Sequence, residues 1–398
     1  MGQFEIHESG FTILRPSGLE SECGGCKTQR MKDEYRRYLV DRSKYFDRVV
    51  RLSRRDFVKA AGGAAAAVLI TGKLLPHSFQ SVEVVHAQGP ETSFTFAYIS
   101  DTHLYERKLN QRFVKAALKA IYDVNALNPQ PDFVLFGGDL AQLGQPAELA
   151  EGAQLLKSLK PKLYVMVGEH DWYFDLGDAW RKHFGKDVYS FDHKGVHFVV
   201  LNSVLVEDYW SGPKMTPMER MLAMAQVDNP NGRPFTVGAE QRDWLQKDLA
   251  NVSKETPLIV FSHSPLYKIY KAWNFWTDDA EEVQKVLAPF QTVTVIHGHT
   301  HQMLSHKVGN IHFHGMLSTA WPWPYAPQGL PKLTVRMNRA DPFDEFDGCG
   351  DGRVDVLKGG HVDKHYNLWS RNPIRVSARY LDSDGAAERP ARETDVNY

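Results

Sequence analysis

The chain has 398 residues, a formal net charge of −1 at pH 7 and a hydrophobic content of 42%. This length allows one large hydrophobic core, and the hydrophobic content is ordinary for a globular protein. A net charge so close to zero gives no electrostatic argument for a nucleic-acid or membrane-surface partner, so we expect neither.

The first informative segment is residues 53–59, with the sequence Ser-Arg-Arg-Asp-Phe-Val-Lys. It resembles a twin-arginine (Tat) export signal. The apolar stretch over residues 60–72 that follows is too short and too mild for a stable membrane span, which needs about 20 apolar residues. A small-residue cleavage site ends at Ala87. We predict a signal peptide over 53–87, export of the folded protein through the Tat translocon, and a periplasmic or extracytoplasmic location. The alternatives are an uncleaved anchor and a soluble amphipathic helix.

Residues 1–52 are an N-terminal extension that is unusual before such a signal. We expect it to be removed, or its first thirty residues not to be translated, because Met31 is a second candidate start. Cys23 and Cys26 resemble half of a zinc site, but no second Cys-x-x-Cys pair exists, so the pattern predicts no zinc knuckle. Cleavage after Ala87 would leave Cys349 as the only cysteine, and no internal disulfide could then form.

Five apolar runs predict the strands of the main domain, which we place at residues 88–330. The runs cover residues 94–100, 132–136, 162–167, 258–261 and 292–296. Near-continuous apolar runs of this length are typical of strands buried on both faces. Helix-like stretches over 112–127 and 148–159 separate the first three runs. The first half is therefore predicted as β-α-β-α-β.

Each apolar run leads into a motif of histidines or carboxylates. In chain order the motifs are Asp101-Thr102-His103, Gly137-Gly138-Asp139, Gly168-Glu169-His170-Asp171, His263 and His299-Thr300-His301. The ends of strands in an α/β scaffold can bring together ligands from distant parts of a chain. Alternate residues of an extended segment point the same way, so Asp101 and His103, and likewise His299 and His301, would each present two ligands to one side. Mixed carboxylate and imidazole ligands suit Fe, Mn or Zn better than Ca or Mg.

The order of these motifs resembles that of the calcineurin-like metallophosphoesterases, which carry D-x-H, G-D, G-N-H-[D/E], a single H and G-H-x-H. Residues 189–203 resemble the family's hairpin after the third motif, and residues 238–249 resemble the helix that follows. The resemblance covers roughly residues 94–320. It implies an α/β (α+β) fold, a four-layer sandwich of two mixed β-sheets flanked by helices. It also implies two metal ions and a small phosphoester substrate.

The resemblance further assigns a role to each metal-ligating residue. The residues that would bind the first metal are Asp101, His103 and His301. Those that would bind the second are His263 and His299. Asp139 would bridge the two metals, and Glu169 takes the position of the family's Asn ligand. Gln142 stands where a purple acid phosphatase would have a Tyr ligand, so we do not expect that subgroup.

The implied reaction is hydrolysis of a phosphomonoester or a phosphodiester by a hydroxide held between the metals. His170 would protonate the leaving group or hold the phosphate, with Asp171 orienting it. The alternative is a non-catalytic, metal-bearing protein that binds a phosphorylated ligand. Monoester and diester preference cannot be separated from these motifs.

Glu169 makes the predicted site more negative than the Asn-containing pattern. Our hypothesis is that Glu169 ligates the second metal and compensates for a more highly charged pair, such as ferric iron with a divalent partner. The rival interpretation is that Glu169 weakens the second site or accepts a hydrogen bond from a bound water.

Several segments surround the predicted site. Residues 205–235 are an insertion, and two aromatic runs, at residues 267–276 and 321–325, are candidate rims of a cleft. We expect residues 331–381 to be a C-terminal extension packed on the domain, with a surface loop over 341–355. Residues 382–398 are expected to be a disordered tail.

Overall fold

The computed structural model describes residues 92–105, 111–206, 215–224, 235–268, 277–322 and 344–377. Over these residues the chain forms two six-stranded sheets with helices outside them. The predicted signal peptide, Cys23, Cys26 and the tail lie outside the described residues. So do parts of the insertion and of the C-terminal extension, and the domain boundaries therefore stay predictions. No helix in the described part of the chain is long and apolar enough to cross a membrane.

The first sheet begins with the predicted β-α-β-α-β unit. Its three strands are β1 (Thr92–Ile99), β2 (Phe133–Phe136) and β3 (Lys162–Val165). The helices that connect them are α1 (Gln111–Ala126) and α2 (Pro146–Leu156). The strands are parallel, and the register places Ile99 beside Phe136 and Phe136 beside Val165. Because the carboxyl ends of the three strands lie together, the motifs that follow them start from the same edge of the sheet.

Three antiparallel strands complete the first sheet. They are β10 (Gly350–Leu357), β11 (Val362–Leu368) and β12 (Ile374–Val376), and the sheet order is β12-β11-β10-β1-β2-β3. The surface loop expected over 341–355 is therefore wrong from Gly350 onward, because these residues form a buried strand beside β1. Acidic side chains of this strand form hydrogen bonds with residues of neighbouring strands. Asp355, for example, accepts a hydrogen bond from Thr95 Oγ1 at 3.0 Å.

The second sheet has a parallel centre and two antiparallel edges. Its strands are β4 (Tyr189–His193), β5 (Val196–Leu201), β6 (Leu258–Ser262), β7 (Val293–His297), β8 (Ser305–Val308) and β9 (Ile311–Gly315). Their order is β4-β5-β6-β7-β9-β8. The remaining helices are α3 (Glu169–Trp172), α4 (Asp178–Phe184), α5 (Pro217–Met224), α6 (Ala239–Leu249) and α7 (Ala280–Leu287).

Aromatic side chains fill the space between the two sheets. Phe96 of the first sheet stacks on Phe133 with ring centroids 4.9 Å apart and meets Phe261 of the second sheet edge-to-face at 5.8 Å. All three rings are fully buried, and truncating one such ring to Ala typically costs about 3–5 kcal/mol. Two mixed sheets with flanking helices confirm the predicted fold.

Candidate metal centre

The five motifs come together where parallel strands of both sheets end. Asp101, Asp139 and Glu169 follow β1, β2 and β3 of the first sheet. His263 and His299 follow β6 and β7 of the second sheet. The metal-ligating side chains predicted from the sequence are all buried. Two sheets thus contribute to one enclosed group of carboxylates and imidazoles.

The backbone at these positions is left-handed rather than extended. Asp101 and His103 have φ angles of 54° and 46°, and His299 and His301 have φ angles of 62° and 47°. The expected extended geometry of both motifs is therefore wrong. This conformation costs an L-residue roughly 1–2 kcal/mol. Backbone hydrogen bonds from Asp101 N to Gly138 O (2.9 Å) and from His103 N to Asp139 O (3.0 Å) help to hold it.

The first ligand group consists of Asp101, His103 and His301. The Nε2 atoms of the two histidines are 3.2 Å apart, and His301 Nε2 is 3.2 Å from Asp101 Oδ1. A metal with bonds of about 2.1 Å keeps its ligand atoms roughly 3.0–3.4 Å apart. These separations match a shared cation.

The second ligand group consists of Asp139, Glu169, His263 and His299. His263 Nε2 lies 3.2 Å from Asp139 Oδ2 and 3.1 Å from Glu169 Oε2. Glu169 Oε1 lies 2.7 Å from His299 Nδ1. The side chain of Glu169 therefore lies within the second group.

Asp139 lies between the two groups. Its Oδ2 is 3.2 Å from His263 Nε2 in the second group and 3.7 Å from His103 Nε2 in the first. Its Oδ1 accepts a hydrogen bond from the backbone N–H of His170 at 3.0 Å. This position is the one that a bridging carboxylate requires, and the bridging role itself stays a prediction.

Hydrogen bonds from the ring nitrogens prepare two of the histidines for a metal. His263 Nδ1 donates to Gly137 O and His301 Nδ1 donates to Trp321 O, each at 2.7 Å. The proton on Nδ1 leaves Nε2 free to ligate. His263 Nε2 and Glu169 Oε2 are buried and make no well-formed hydrogen bond, although they lie 3.1 Å apart. Buried polar atoms without such partners fit a site that is built to hold a cation.

The two groups differ in their electrostatics. Burial lowers the pKa of His103, and the nearby rings of His170 and His301 lower it further. Burial also acts to lower the pKa of His263, but the carboxylates of Asp139 and Glu169 outweigh it and raise this pKa well above its usual range. Glu169 shows the converse: burial favours its neutral form, yet His299 and His263 hold its pKa well below the usual value. The field at the second group is more strongly negative.

Tight backbone approach explains two of the motif glycines. Gly138 has a φ of 94°, and a Cβ there would lie 2.5 Å from His263 Nδ1. A Cβ on Gly168 would lie 2.1 Å from Asp139 Oδ1. A side chain at either position would displace a member of the second group.

His170 is oriented by a backbone carbonyl. Its Nδ1 donates to Gln142 O at 2.6 Å, and its ring lies 4.7 Å from the ring of His103. The prediction that Asp171 orients His170 is therefore wrong. The buried Asp171 carboxylate accepts hydrogen bonds from Ala141 N at 2.9 Å and Gly168 N at 3.1 Å. These two hydrogen bonds tie the segment after the second motif to the third motif.

Two contacts of the ligands were not predicted from the sequence. The Ser100 hydroxyl donates to Asp101 Oδ2, and Tyr98 Oη lies 3.4 Å from Ser100 Oγ. The ring of Trp321 stacks on His103. The only signal for Ser100 was its place just before the first motif, and the signal for Trp321 was its place in an aromatic run shortly after the last.

Comparison with protein families identifies the class to which this site belongs. The model of the calcineurin-like phosphoesterase family matches residues 94–303. The match spans more than half of the chain, so the protein belongs to this family and is a hydrolase acting on phosphoric ester bonds. The family and the two ligand groups together indicate a dinuclear metal site.

Individual relatives share part of the chain. A 3',5'-cyclic-nucleotide phosphodiesterase of Nostoc sp. is 23% identical over 235 residues, which cover 57% of this chain and 79% of that protein. A probable glycerophosphodiester phosphodiesterase of Arcobacter nitrofigilis is 26% identical over 228 residues, 56% of this chain and 72% of that protein. A dimetal phosphatase structure from Danio rerio aligns with a TM-score of 0.48 and 13% identity, covering 72% of this chain and 100% of that one.

Proposed function

We propose that the protein is a two-metal hydrolase of small phosphodiesters. The observation that carries this proposal is the pair of ligand groups with the carboxylate of Asp139 between them. The relatives named as cyclic-nucleotide and glycerophosphodiester phosphodiesterases favour a diester over a monoester. Two ions held by these residues would supply Lewis acidity toward a phosphoryl oxygen and a water of lowered pKa.

Different residues of the chain would bind the metals and donate the proton. Asp101, His103 and His301 would hold one ion, and the second group would hold the other. His170 supplies the proton that the departing alkoxide needs. A carbonyl can only accept a hydrogen bond, so the contact with Gln142 O keeps a proton on His170 Nδ1. His170 Nε2 is then the atom that carries and releases the transferred proton.

The test compares bis(p-nitrophenyl) phosphate with p-nitrophenyl phosphate on metal-analysed protein. We expect faster hydrolysis of the diester, loss of activity on chelation, and recovery when metal is returned. A protein with full metal content that hydrolyses neither compound would contradict the proposal. That result would favour the alternative of a metal-bearing binding protein, in which His170→Ala changes no measurable property.

Glu169 supports a mixed-valence pair. Asp101, Asp139 and Glu169 bring three carboxylates into the site, and two of them contact the ring of His263. The added negative charge stabilises ferric iron beside a divalent ion. Metal analysis with electron paramagnetic resonance on purified protein tests this proposal, and a di-zinc or single-metal protein would refute it.

Export by the twin-arginine pathway stays a separate proposal. It is supported by Arg54 and Arg55 within their motif and by the mild apolar stretch after them. Because this pathway exports folded proteins, the metals would be loaded before export. Sequencing the N-terminus of the protein from a periplasmic extract should find a start near Gln88, and an intact chain in the cytosol would count against export.

A further inference from the structure

The second aromatic run, at residues 321–325, begins next to the first ligand group. Trp321 lies outside the residues that match the family model. The segment that carries it is bound to the end of β1. Ala320 N donates to Asp101 O at 3.2 Å, and the Ser318 hydroxyl donates to the same carbonyl at 2.9 Å. Trp321 therefore has a fixed place relative to Asp101.

His103 lacks the hydrogen bond from Nδ1 to a backbone carbonyl that orients His263 and His301. His263 and His301 each donate from Nδ1 to a backbone carbonyl. The Nδ1 of His103 is buried and has no hydrogen-bond partner. A metal-binding histidine usually depends on such a hydrogen bond to fix its ring and its tautomer. The orientation of His103 must therefore come from packing.

Trp321 provides that packing. Its ring stacks on His103 with centroids 4.3 Å apart and planes 29° apart, while His170 meets His103 edge-on at 4.7 Å. Phe113 of α1 supports the indole from the side at 5.8 Å. The carbonyl of Trp321 also accepts the hydrogen bond from His301. One residue thus holds two of the three members of the first group.

We propose that the indole of Trp321 is a positioning element of the first metal site and replaces the hydrogen bond that His103 lacks. The ring sets the affinity of this site for its ion by restricting His103 to the ligating orientation. The inference rests on the proposed function only in taking the first group to bind a metal. It requires no particular substrate.

The experiment measures metal affinity rather than turnover. Chelator-treated full-length protein is titrated with Mn²⁺ against a competing chelator, in the background His299→Ala, which disables the second group. In this background we expect Trp321→Ala to weaken binding about 10-fold, the low end of the usual effect of losing an outer contact of a ligand. The His301 contact persists because it uses the backbone carbonyl.

Two further variants separate aromatic stacking from general packing. Trp321→Phe keeps a stacking ring and should retain affinity within about 3-fold, whereas Trp321→Leu fills space without stacking and should behave like Trp321→Ala. Phe290→Leu is the matched control, because it removes a buried ring from a separate hydrophobic cluster of the second sheet and leaves the stack on His103. We expect it to lower the melting temperature with little change in affinity.

Unchanged Mn²⁺ affinity in Trp321→Ala and Trp321→Leu would overturn the inference. Equal losses in Trp321→Phe and Trp321→Leu would also overturn it, because stacking would then be irrelevant. If Trp321→Ala does not fold, the comparison of Phe with Leu still decides. Wild-type protein that binds two ions but hydrolyses no phosphoester would refute the proposed function and leave this comparison intact.

Discussion

The two ligand groups use the same residue types but create different fields. The first group has one carboxylate and two imidazoles, and the pKa of His103 is lowered by burial and by neighbouring rings. The second has two carboxylates, Asp139 and Glu169, which raise the pKa of His263. The two ions of one centre therefore need not be alike. The side chain that departs from the family pattern, Glu169, lies in the more negative group.

Replacing Asp139 should have the largest effect on turnover, because its carboxylate lies between the two groups and is the predicted bridge. We expect Asp139→Asn to lower phosphodiester hydrolysis by at least about 100-fold and to reduce the content of both metals. Activity assays with elemental analysis provide the measurement. Asp178→Asn, at a side chain that is 76% exposed, is the control and should match the wild type. An Asp139→Asn protein that loses only one ion would show that the groups are independent.

Replacing His170 should separate proton transfer from metal binding. We expect His170→Ala to lower kcat about 100-fold on a diester with an alkyl leaving group, since general acid catalysis is worth at least this factor. The effect should be smaller on a p-nitrophenyl ester, whose leaving group needs no proton. Metal content should stay at the wild-type value. Equal losses on both substrates would argue against a proton donor at this position.

Replacing Glu169 should show whether the negative electrostatic field at the second group depends on this carboxylate. In Glu169→Gln we expect affinity at the second group to fall about 10-fold, while affinity at the first stays unchanged. Metal titration followed by electron paramagnetic resonance makes the measurement. Glu240→Gln, an exposed glutamate on α6, is the matched control. Equal weakening of both groups would remove the distinction drawn between them.

A buried amino group also lies away from the ligand groups, and we expect it to affect stability rather than turnover. Lys364 of β11 is fully buried and donates to His314 Nδ1 at 2.9 Å. Burial lowers the pKa of Lys364 to about 7, below the value near 10.4 of an unfolded chain. Between these values the native state binds fewer protons, so the free energy of unfolding rises with pH.

Urea unfolding at pH 7 and pH 9 measures this contribution. Stability of the wild type should gain roughly 2 kcal/mol from Lys364 between these values, and Lys364→Met should lack the gain. The difference between the two proteins isolates Lys364 from other titrating groups. Identical pH dependence in both would show that Lys364 keeps an ordinary pKa when folded.

Local patterns in the sequence are sufficient to predict the strand before each motif and the helices between the first three strands. They failed at β10, because Asp351 and Asp355 suggest solvent and the residues that bury them lie on other strands. They also failed where a role depends on a distant backbone group. Asp171 accepts hydrogen bonds from amides in two motifs, and no spacing rule predicts that. The left-handed ligands could not be predicted either, since the glycine-like conformation falls on Asp and His.

The pairing of β1 with β10 has a consequence for the order of events during synthesis. Thr92 faces Leu357 across this pair, so the strand that leads to Asp101 gains its antiparallel neighbour only after more than 250 further residues have been translated. The first sheet therefore stays open at β1 while the ribosome makes the second. A nascent chain would carry all of its metal-binding side chains well before it has the framework that holds the first of them in place.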